Sequence, residues 1–289
     1  MPEIVNVLTV DVEEYFHGID FDVALGVDGI ARLPSRVVAQ TERLLDRLEL
    51  HGARGTFFTL GSVAQRYPRL IRSIVGRGHE LACHGWDHRC VYELGAEGFR
   101  HDLRRAKHAL EAAAGCAVRG YRAPNYSIRR DTPWAFEILA EEGFIYDSSV
   151  HPIVHDRYGF PDAPRFPYRI AGVPALWEVP VGTARAFGTN LPVGGGYFRL
   201  FPAALLAAAI ESVNRREQQP LVLYVHPWEF DAEQPRPPMP VAHRVRHYVG
   251  LATAMPKLET LLRRFTFTSV EAAFAPLRLA PAAAVVRAS

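Results

Sequence analysis

Ile4-Val-Asn-Val-Leu-Thr-Val-Asp-Val-Glu13 is a run of apolar residues that ends in two carboxylates one residue apart. The portion Ile4–Val10 has the continuous apolar character of a strand covered on both faces, the sign of a parallel sheet with helices packed over it. Similar runs recur at Gly55–Leu60, His79–Cys83, Arg119–Ala123, Phe144–Asp147, Trp177–Val181, Leu221–His226 and Phe265–Thr268. Between them the spacing predicts amphipathic helices. Arg36–Leu50 puts Val37, Leu44 and Leu48 on one stripe, and Phe99–Leu110 does the same with Phe99, Leu103, Ala106 and Leu110. Further helices are expected at Val63–Gly76, Thr132–Gly143, Ala203–Arg216 and Arg246–Arg264. Seven or eight strand and helix units in alternation predict an α/β fold of the (β/α) barrel type with about seven parallel strands.

In such barrels chemistry collects at the C-terminal ends of the strands. Asp11 and Glu13 follow the first strand, His84 and His88 the third, Arg122 closes the fourth, Asp147 the fifth, and His226 ends the penultimate one. His84-Gly-Trp-Asp-His88 offers two imidazoles, and Glu13 adds a carboxylate from a distant segment. Together they make a facial triad that leaves coordination positions open for water and substrate. Zinc is the first expectation from this donor set, with Co, Ni, Mn or Fe as other candidates. Asp11 is then left over as a base. An imidazole such as His226, with an ordinary pKa near ~6.5, suits proton donation to a departing amine. Arg122, beside two carboxylates, is expected to pair with Asp11 and hold it ionised. Asp147 is expected to orient His226 or Arg122. Trp86, Trp228 and Tyr126 are aromatic faces that suit sugar rings, although plain core packing accounts for a buried Trp equally well. His79, at the opening of a strand, is expected to pack in the core.

The composition excludes several classes. Lys plus Arg (33) balances Asp plus Glu (31), so nucleic acid is not an expected partner. The N-terminal apolar stretch has no basic region before it and runs into acid, which fits neither a signal peptide nor a membrane span. The expected location is the cytoplasm, with the inner membrane surface as the alternative place of action. Cys83, Cys90 and Cys116 are too few for a disulfide framework. Without a Cys-x2-Cys spacing, Cys83 and Cys90 are expected to be small buried hydrophobes rather than zinc ligands. No linker divides the chain, so residues 1–275 are expected to form one catalytic domain, with an Ala- and Pro-rich frayed tail at 276–289. Two proline-rich excursions, His151–Pro174 and Asp231–Pro240, follow strand ends that carry candidate site residues. They are expected to be irregular, and either walls of the site or plain solvent loops.

Thr9-Val-Asp11-Val-Glu13, His84-Gly-Trp-Asp-His88, Arg122-Ala-Pro-Asn125-Tyr126, Tyr146-Asp-Ser-Ser149 and Leu223-Tyr-Val-His226 resemble, in order, the motifs of the polysaccharide deacetylase family. This is the family of the NodB homology domain, similar to carbohydrate esterase family 4. The resemblance covers about residues 4–230. Leu176-Trp-Glu-Val-Pro-Val181, Gly194-Gly-Gly-Tyr-Phe-Arg199 and His226-Pro-Trp-Glu-Phe-Asp231 also look like the branch associated with bacterial exopolysaccharide gene clusters.

The resemblance implies a distorted (β/α) barrel and a hydrolase that removes acetyl groups from N-acetylhexosamine units of a polysaccharide or its lipid-linked precursor. It further implies Asp11 as general base, Glu13, His84 and His88 as metal ligands, and His226 as general acid. Asn125, Tyr126 and Trp228 would meet the N-acetylated saccharide. The first motif departs from the family's commonest form, two adjacent aspartates, because Val12 intervenes and the ligand is Glu13. Some branches with an Asp-x-Asp form hydrolyse cyclic amides, so a metal-independent amidohydrolase of small cyclic amides or imides is the alternative enzyme. A carbohydrate-binding module without catalysis is the alternative of another class.

Overall fold

The computed structural model describes residues 4–17, 19–155, 158–186 and 188–275; the tail expected at 276–289 lies outside them. The strands are β1 (Asn6–Val12), β2 (Thr56–Thr59), β3 (Glu80–Cys83), β4 (Gly120–Tyr121), β5 (Tyr146–Asp147), β6 (Tyr168–Ile170), β7 (Val173–Glu178), β8 (Thr183–Ala186), β9 (Thr189–Pro192), β10 (Val222–Val225) and β11 (Phe267–Thr268). The main sheet runs β10-β1-β2-β3-β4-β5-β7-β6. It is parallel throughout except for the antiparallel edge β6, and β11 pairs in parallel with the first residues of β1. Seven parallel strands lie on that path, so the expected α/β barrel class is borne out, as a curled sheet whose two edge strands do not pair with each other.

The open side is closed by loop backbone. Alternate carbonyls of β10 face away from β1. Val222 O accepts from Gly182 N at 2.8 Å, and Tyr224 O accepts from Gly195 N at 2.9 Å. These glycines are needed for close approach. A Cβ on Gly182 would lie 2.5 Å from Val222 O, one on Gly194 2.1 Å from the Tyr224 ring, and Gly195 has φ +56° besides.

The two-residue period of β1 sorts its side chains between two environments. Leu8, Val10 and Val12 enter the large apolar layer between sheet and helices, together with Leu44, Leu48, Leu223 and Leu258. Val7 faces the barrel interior with Phe58, Ala82, Tyr146 and Val222. The same side carries Thr9 and Asp11, and Glu13 continues the row one residue past the strand. This is why a residue separates the two carboxylates: Asp11 and Glu13 share the inner face, and Val12 fills the core behind them.

Two predicted helices are each split. Val63–Gly76 is broken at Tyr67 into Gly61–Arg66 and Pro68–Gly76, because Pro68 has no N–H to donate and pushes the preceding residue out of the helical region. Arg246–Arg264 is broken at Val249 and Gly250 into Val241–Tyr248 and Leu251–Arg264, with Gly250 at φ +76°. The helix Ile19–Ile30, the β8–β9 hairpin and the edge β6 carried no periodic signal strong enough to be predicted. Among the described residues no helix is long and apolar enough to cross a membrane.

Candidate active site

Asp11 lies in β1, His84 and Arg122 directly follow β3 and β4, and His226 follows β10, so these groups meet at one end of the sheet. Asp11, His84 and His226 line a cleft of about 530 Å³ together with Glu13, His88, Asn125, Tyr126, Tyr158 and Trp228, and Arg122 lies buried behind it. That volume falls in the range of small-molecule sites.

Glu13, His84 and His88 bring one donor atom each to within 4.8 Å of one another, the grouping of this kind among the described residues. Glu13 Oε2 stands 2.6 Å from His88 Nε2 and 4.0 Å from His84 Nε2, while Glu13 Oε1 accepts from Trp228 Nε1 at 3.0 Å. His84 turns Nδ1 to the Arg122 carbonyl at 2.8 Å, which sends Nε2 toward Glu13. Burial, the largest influence on His84, pushes its pKa down to about 4, so the ring is neutral. Burial alone would raise Glu13, but His88 and then His226 and His84 hold it well below the usual carboxylate range. Lone pairs and a carboxylate oxygen aimed at one point repel unless a cation or proton sits among them. The donor set therefore fits a divalent metal of the zinc type.

The loop that carries the imidazoles is not helical. Gly85 (φ +76°) and His88 (φ +67°) both take left-handed backbone, which is uncommon for His. Trp86 N donates to Asp102 Oδ2 at 2.9 Å, and Gly61 N and Ser62 N donate to the Gly85 and Trp86 carbonyls, pinning the turn. His17, which no motif singled out, stacks on His88 at 5.6 Å and 15°.

Asp11 and Arg122 are in contact, with Arg122 Nη1 donating to Asp11 Oδ1 at 2.7 Å. Arg122 has no solvent exposure, and its remaining donors go to Thr9 Oγ1, Ser148 O and Ser148 Oγ. His226 Nε2 faces Asp11 Oδ2 at 3.9 Å and Glu13 Oε1 at 3.8 Å. Its Nδ1 lies 3.3 Å from Glu229 Oε2, an ion-pair distance rather than a tight hydrogen bond. Burial by itself would lower the His226 pKa, but the Glu229, Glu13 and Asp11 carboxylates raise it to about 9.

Some expectations are corrected. Asp147 orients neither His226 nor Arg122. Its carboxylate accepts from Ser149 Oγ at 2.6 Å and Ser149 N at 3.1 Å and is hydrogen-bonded to buried Glu178, because the β5–β7 register sets Asp147 opposite Glu178. Trp86 is no platform beside the cleft. It packs in the core with Arg105 at 3.5 Å from its ring centroid and Gly61 against it.

Trp228 lies at the cleft, sandwiched between His226 (5.2 Å) and His247 (4.6 Å). Asn125 and Tyr126 line the cleft from left-handed backbone at φ +54° and +52°. Of the proline-rich excursions, the first lends His155 and Tyr158 to the cleft. The second is a strut, in which Asp231 holds Arg36 and Gln40, and Gln234 holds His247. Cys83 and Cys90 are buried, with the Cys83 thiol pushed up to about 12 by burial, and Cys116 is exposed. His79 is buried and accepts from Gly55 N.

Residues 21–141 match the family described as polysaccharide deacetylase, and residues 148–275 match a domain of unknown function, DUF3473. A peptidoglycan-N-acetylglucosamine deacetylase of Bacillus cereus is 29% identical over 98 residues, which cover 34% of this chain and 36% of that protein. A chitooligosaccharide deacetylase of Sinorhizobium fredii is 32% identical over 118 residues, covering 40% of this chain and 52% of that protein. The chain thus spans between a third and about half of the length of these curated relatives. A crystal structure of a Mycobacterium smegmatis protein described as a candidate polysaccharide deacetylase superposes with a TM-score of 0.57 at 24% identity. That match covers 99% of this chain and 96% of the other, so the two share a fold. The likeness to polysaccharide deacetylases thus lies in residues 21–141.

Proposed function

We propose that the protein hydrolyses the acetamide of an N-acetylhexosamine unit in a bacterial saccharide, releasing acetate and a free amine. The observation that carries the reading is the convergence of Glu13, His84 and His88 beside an Asp11 locked to buried Arg122. A divalent ion held by Glu13, His84 and His88, zinc first, would supply Lewis acidity, lowering the pKa of water from 15.7 to about 7 and polarising the acetyl carbonyl.

The chain's own residues account for the proton traffic. Arg122 engages Asp11 Oδ1, which leaves Oδ2 toward the cleft to take the proton of the attacking water. His226 Nε2, 3.9 Å from that oxygen, gives its proton to the nitrogen as the C–N bond breaks. Asn125, Tyr126 and Trp228 line the space where the sugar would lie.

Exopolysaccharide or its lipid-linked precursor is the substrate we favour, on the likeness of the three strings around Glu178, Gly195 and Trp228. Action in the cytoplasm or at the inner membrane surface goes with that assignment. We take residues 1–275 as one catalytic unit. The test is acetate release from N-acetylglucosamine oligomers and glycolipid precursors by zinc-supplemented protein and by the Asp11→Asn variant. Loss of release in the folded variant is expected. Full activity there would remove Asp11 as the base, and turnover of cyclic imides alone by metal-free protein would replace the reading.

A further inference from the structure

The polysaccharide deacetylase match ends at residue 141, before His226, and residues 148–275 match only a domain of unknown function. We propose that this second region builds the proton-donating half of the site. In it Glu229, gripped by Arg199, is the positioning residue that keeps a proton on His226 Nδ1 and thereby turns Nε2 into the donor facing the cleft. The direction of proton transfer rests on the deacetylase reading; the hydrogen-bond argument does not.

Glu229 has no solvent exposure, and both its oxygens face donors that cannot lose their protons. Oε1 accepts from Arg199 Nε at 2.8 Å, and Oε2 accepts from the His226 backbone N at 3.0 Å. A guanidinium at one oxygen and a peptide N–H at the other both favour the charged form, so the carboxylate is ionised. His226 Nδ1 lies 3.3 Å from that ionised Oε2, and the negative charge favours a hydrogen on Nδ1. When Nε2 gives up its proton, the tautomer that remains is the one Glu229 already favours.

Arg199 is fixed in turn. It is 5% exposed, and its Nη1 donates to the carbonyls of His247 (2.7 Å), Val249 (2.9 Å) and Arg246 (3.2 Å). Gly194 and Gly195 press on Tyr224, two residues ahead of His226, and a Cβ on Gly250 would lie 2.3 Å from the Arg199 carbonyl. His247 stacks on Trp228, which stacks on His226 and donates to Glu13. Every one of these supports lies between residues 194 and 250. Asp147, engaged with Ser149 and Glu178, leaves the post beside His226 to Glu229.

Glu229→Gln separates this from a packing role. Both ends of the amide face obligate donors; the charged Arg199 keeps the oxygen, so the NH2 stands against the His226 backbone N–H and beside Nδ1, where only an acceptor is favoured. The readout is the 15N signal of the His226 ring in the full chain with zinc added, assigned with His226→Gln. Nδ1 should be protonated in the parent, unprotonated in Glu229→Gln at the same pH, and protonated again in Glu229→Asp. An unprotonated Nδ1 in the parent, or one indifferent to Glu229→Gln, overturns the proposal, and the parent spectrum decides even if the variant does not fold.

With chitooligosaccharide as probe, Glu229→Gln should lower kcat by about 10- to 100-fold with KM little moved, within the range of general acid catalysis. In a His226→Ala background the same change should do nothing further. A second loss that multiplies with the first overturns the proposal. A parent protein that releases no acetate from any N-acetylated saccharide would instead sink the deacetylase reading and leave the ring spectrum to judge Glu229.

Discussion

Arg122 Nη1 donates to Asp11 Oδ1 at 2.7 Å from a position with no solvent exposure, so the two charges depend on each other for solvation. Breaking a buried pair by removing one partner costs about 3–5 kcal/mol, because the other charge is left uncompensated. Arg122→Met should lose stability of that order in urea unfolding together with acetate release. Arg122→Lys keeps charge but loses the fork that also reaches Thr9 and Ser148, so it should fall between. A methionine variant as stable and active as the parent would show that Asp11 needs no partner.

Glu13 Oε2 close to both His84 and His88 predicts a metal-dependent gain in stability. Free zinc at 100 times its Kd should stabilise the parent by about 2.7 kcal/mol and raise its Tm, and EDTA should reverse the shift. Glu13→Gln removes the one anionic donor, so its Tm should respond far less to zinc. Elemental analysis of protein purified without chelator or nickel resin checks which ion is retained. Equal thermal response in both proteins would place the zinc elsewhere.

His226 predicts an alkaline limit to activity. With its pKa raised to about 9 by neighbouring carboxylates, the ring is protonated at neutral pH, and kcat should fall as pH climbs past that value. A cation on Glu13 weakens the negative field at His226, so zinc-loaded protein should meet its limit at lower pH than the metal-free ring titrates. The stability sign follows the same shift. A folded pKa above the unfolded value contributes stability that is full below about 6.5 and is lost as pH rises through about 9. His226→Gln should flatten the stability loss in that window, as measured by urea unfolding across pH.

The barrel and the metal cluster were legible because each rests on a short-range signal. Val7, Thr9 and Asp11 alternate with Leu8, Val10 and Val12 across one strand, and His84 and His88 sit in one turn. Asp147 was misassigned because its partner Glu178 is 31 residues away and meets it only through the β5–β7 register. The pairing of Glu229 with Arg199 has no local signal for the same reason. The string from His226 to Asp231 was visible, but that its Glu points back at the His depends on the 3-10 turn at Pro227–Phe230, and Arg199 arrives from another segment. His17 had no signal at all, since a stacking partner needs no particular spacing.

Asp147 and Glu178 predict a second loss of stability with rising pH, beginning in a lower window. Glu178 Oε2 has no donor beside it, and burial together with the Asp147 charge raises its pKa well above the usual range, so Glu178 is protonated and donates to Asp147. The folded protein then binds a proton that the unfolded chain has released, and this pair costs stability as pH rises above about 4.5. Glu178→Gln keeps a donor without the titration. It should match the parent near pH 5 and exceed it at pH 8 in urea unfolding. Equal pH slopes would mean that Glu178 is ionised.

Gly194 and Gly195 predict that closure of the barrel and support of the acid are one feature. A Cβ at Gly194 would lie 2.1 Å from a Tyr224 ring atom, and Gly195 sits at φ +56° with Tyr224 atoms 2.6 Å from its own Cβ position. Overpacking of this kind costs about 1–3 kcal/mol. Tyr224 is fixed in β10 and buried, so the glycine segment must give way, and Arg199 moves with it. Gly194→Ala should therefore lower the Tm and also lower kcat for acetate release, while zinc affinity stays near the parent value because Glu13, His84 and His88 hang from β1 and β3. A variant that loses zinc and acetate release together would tie this segment to the metal half of the site instead.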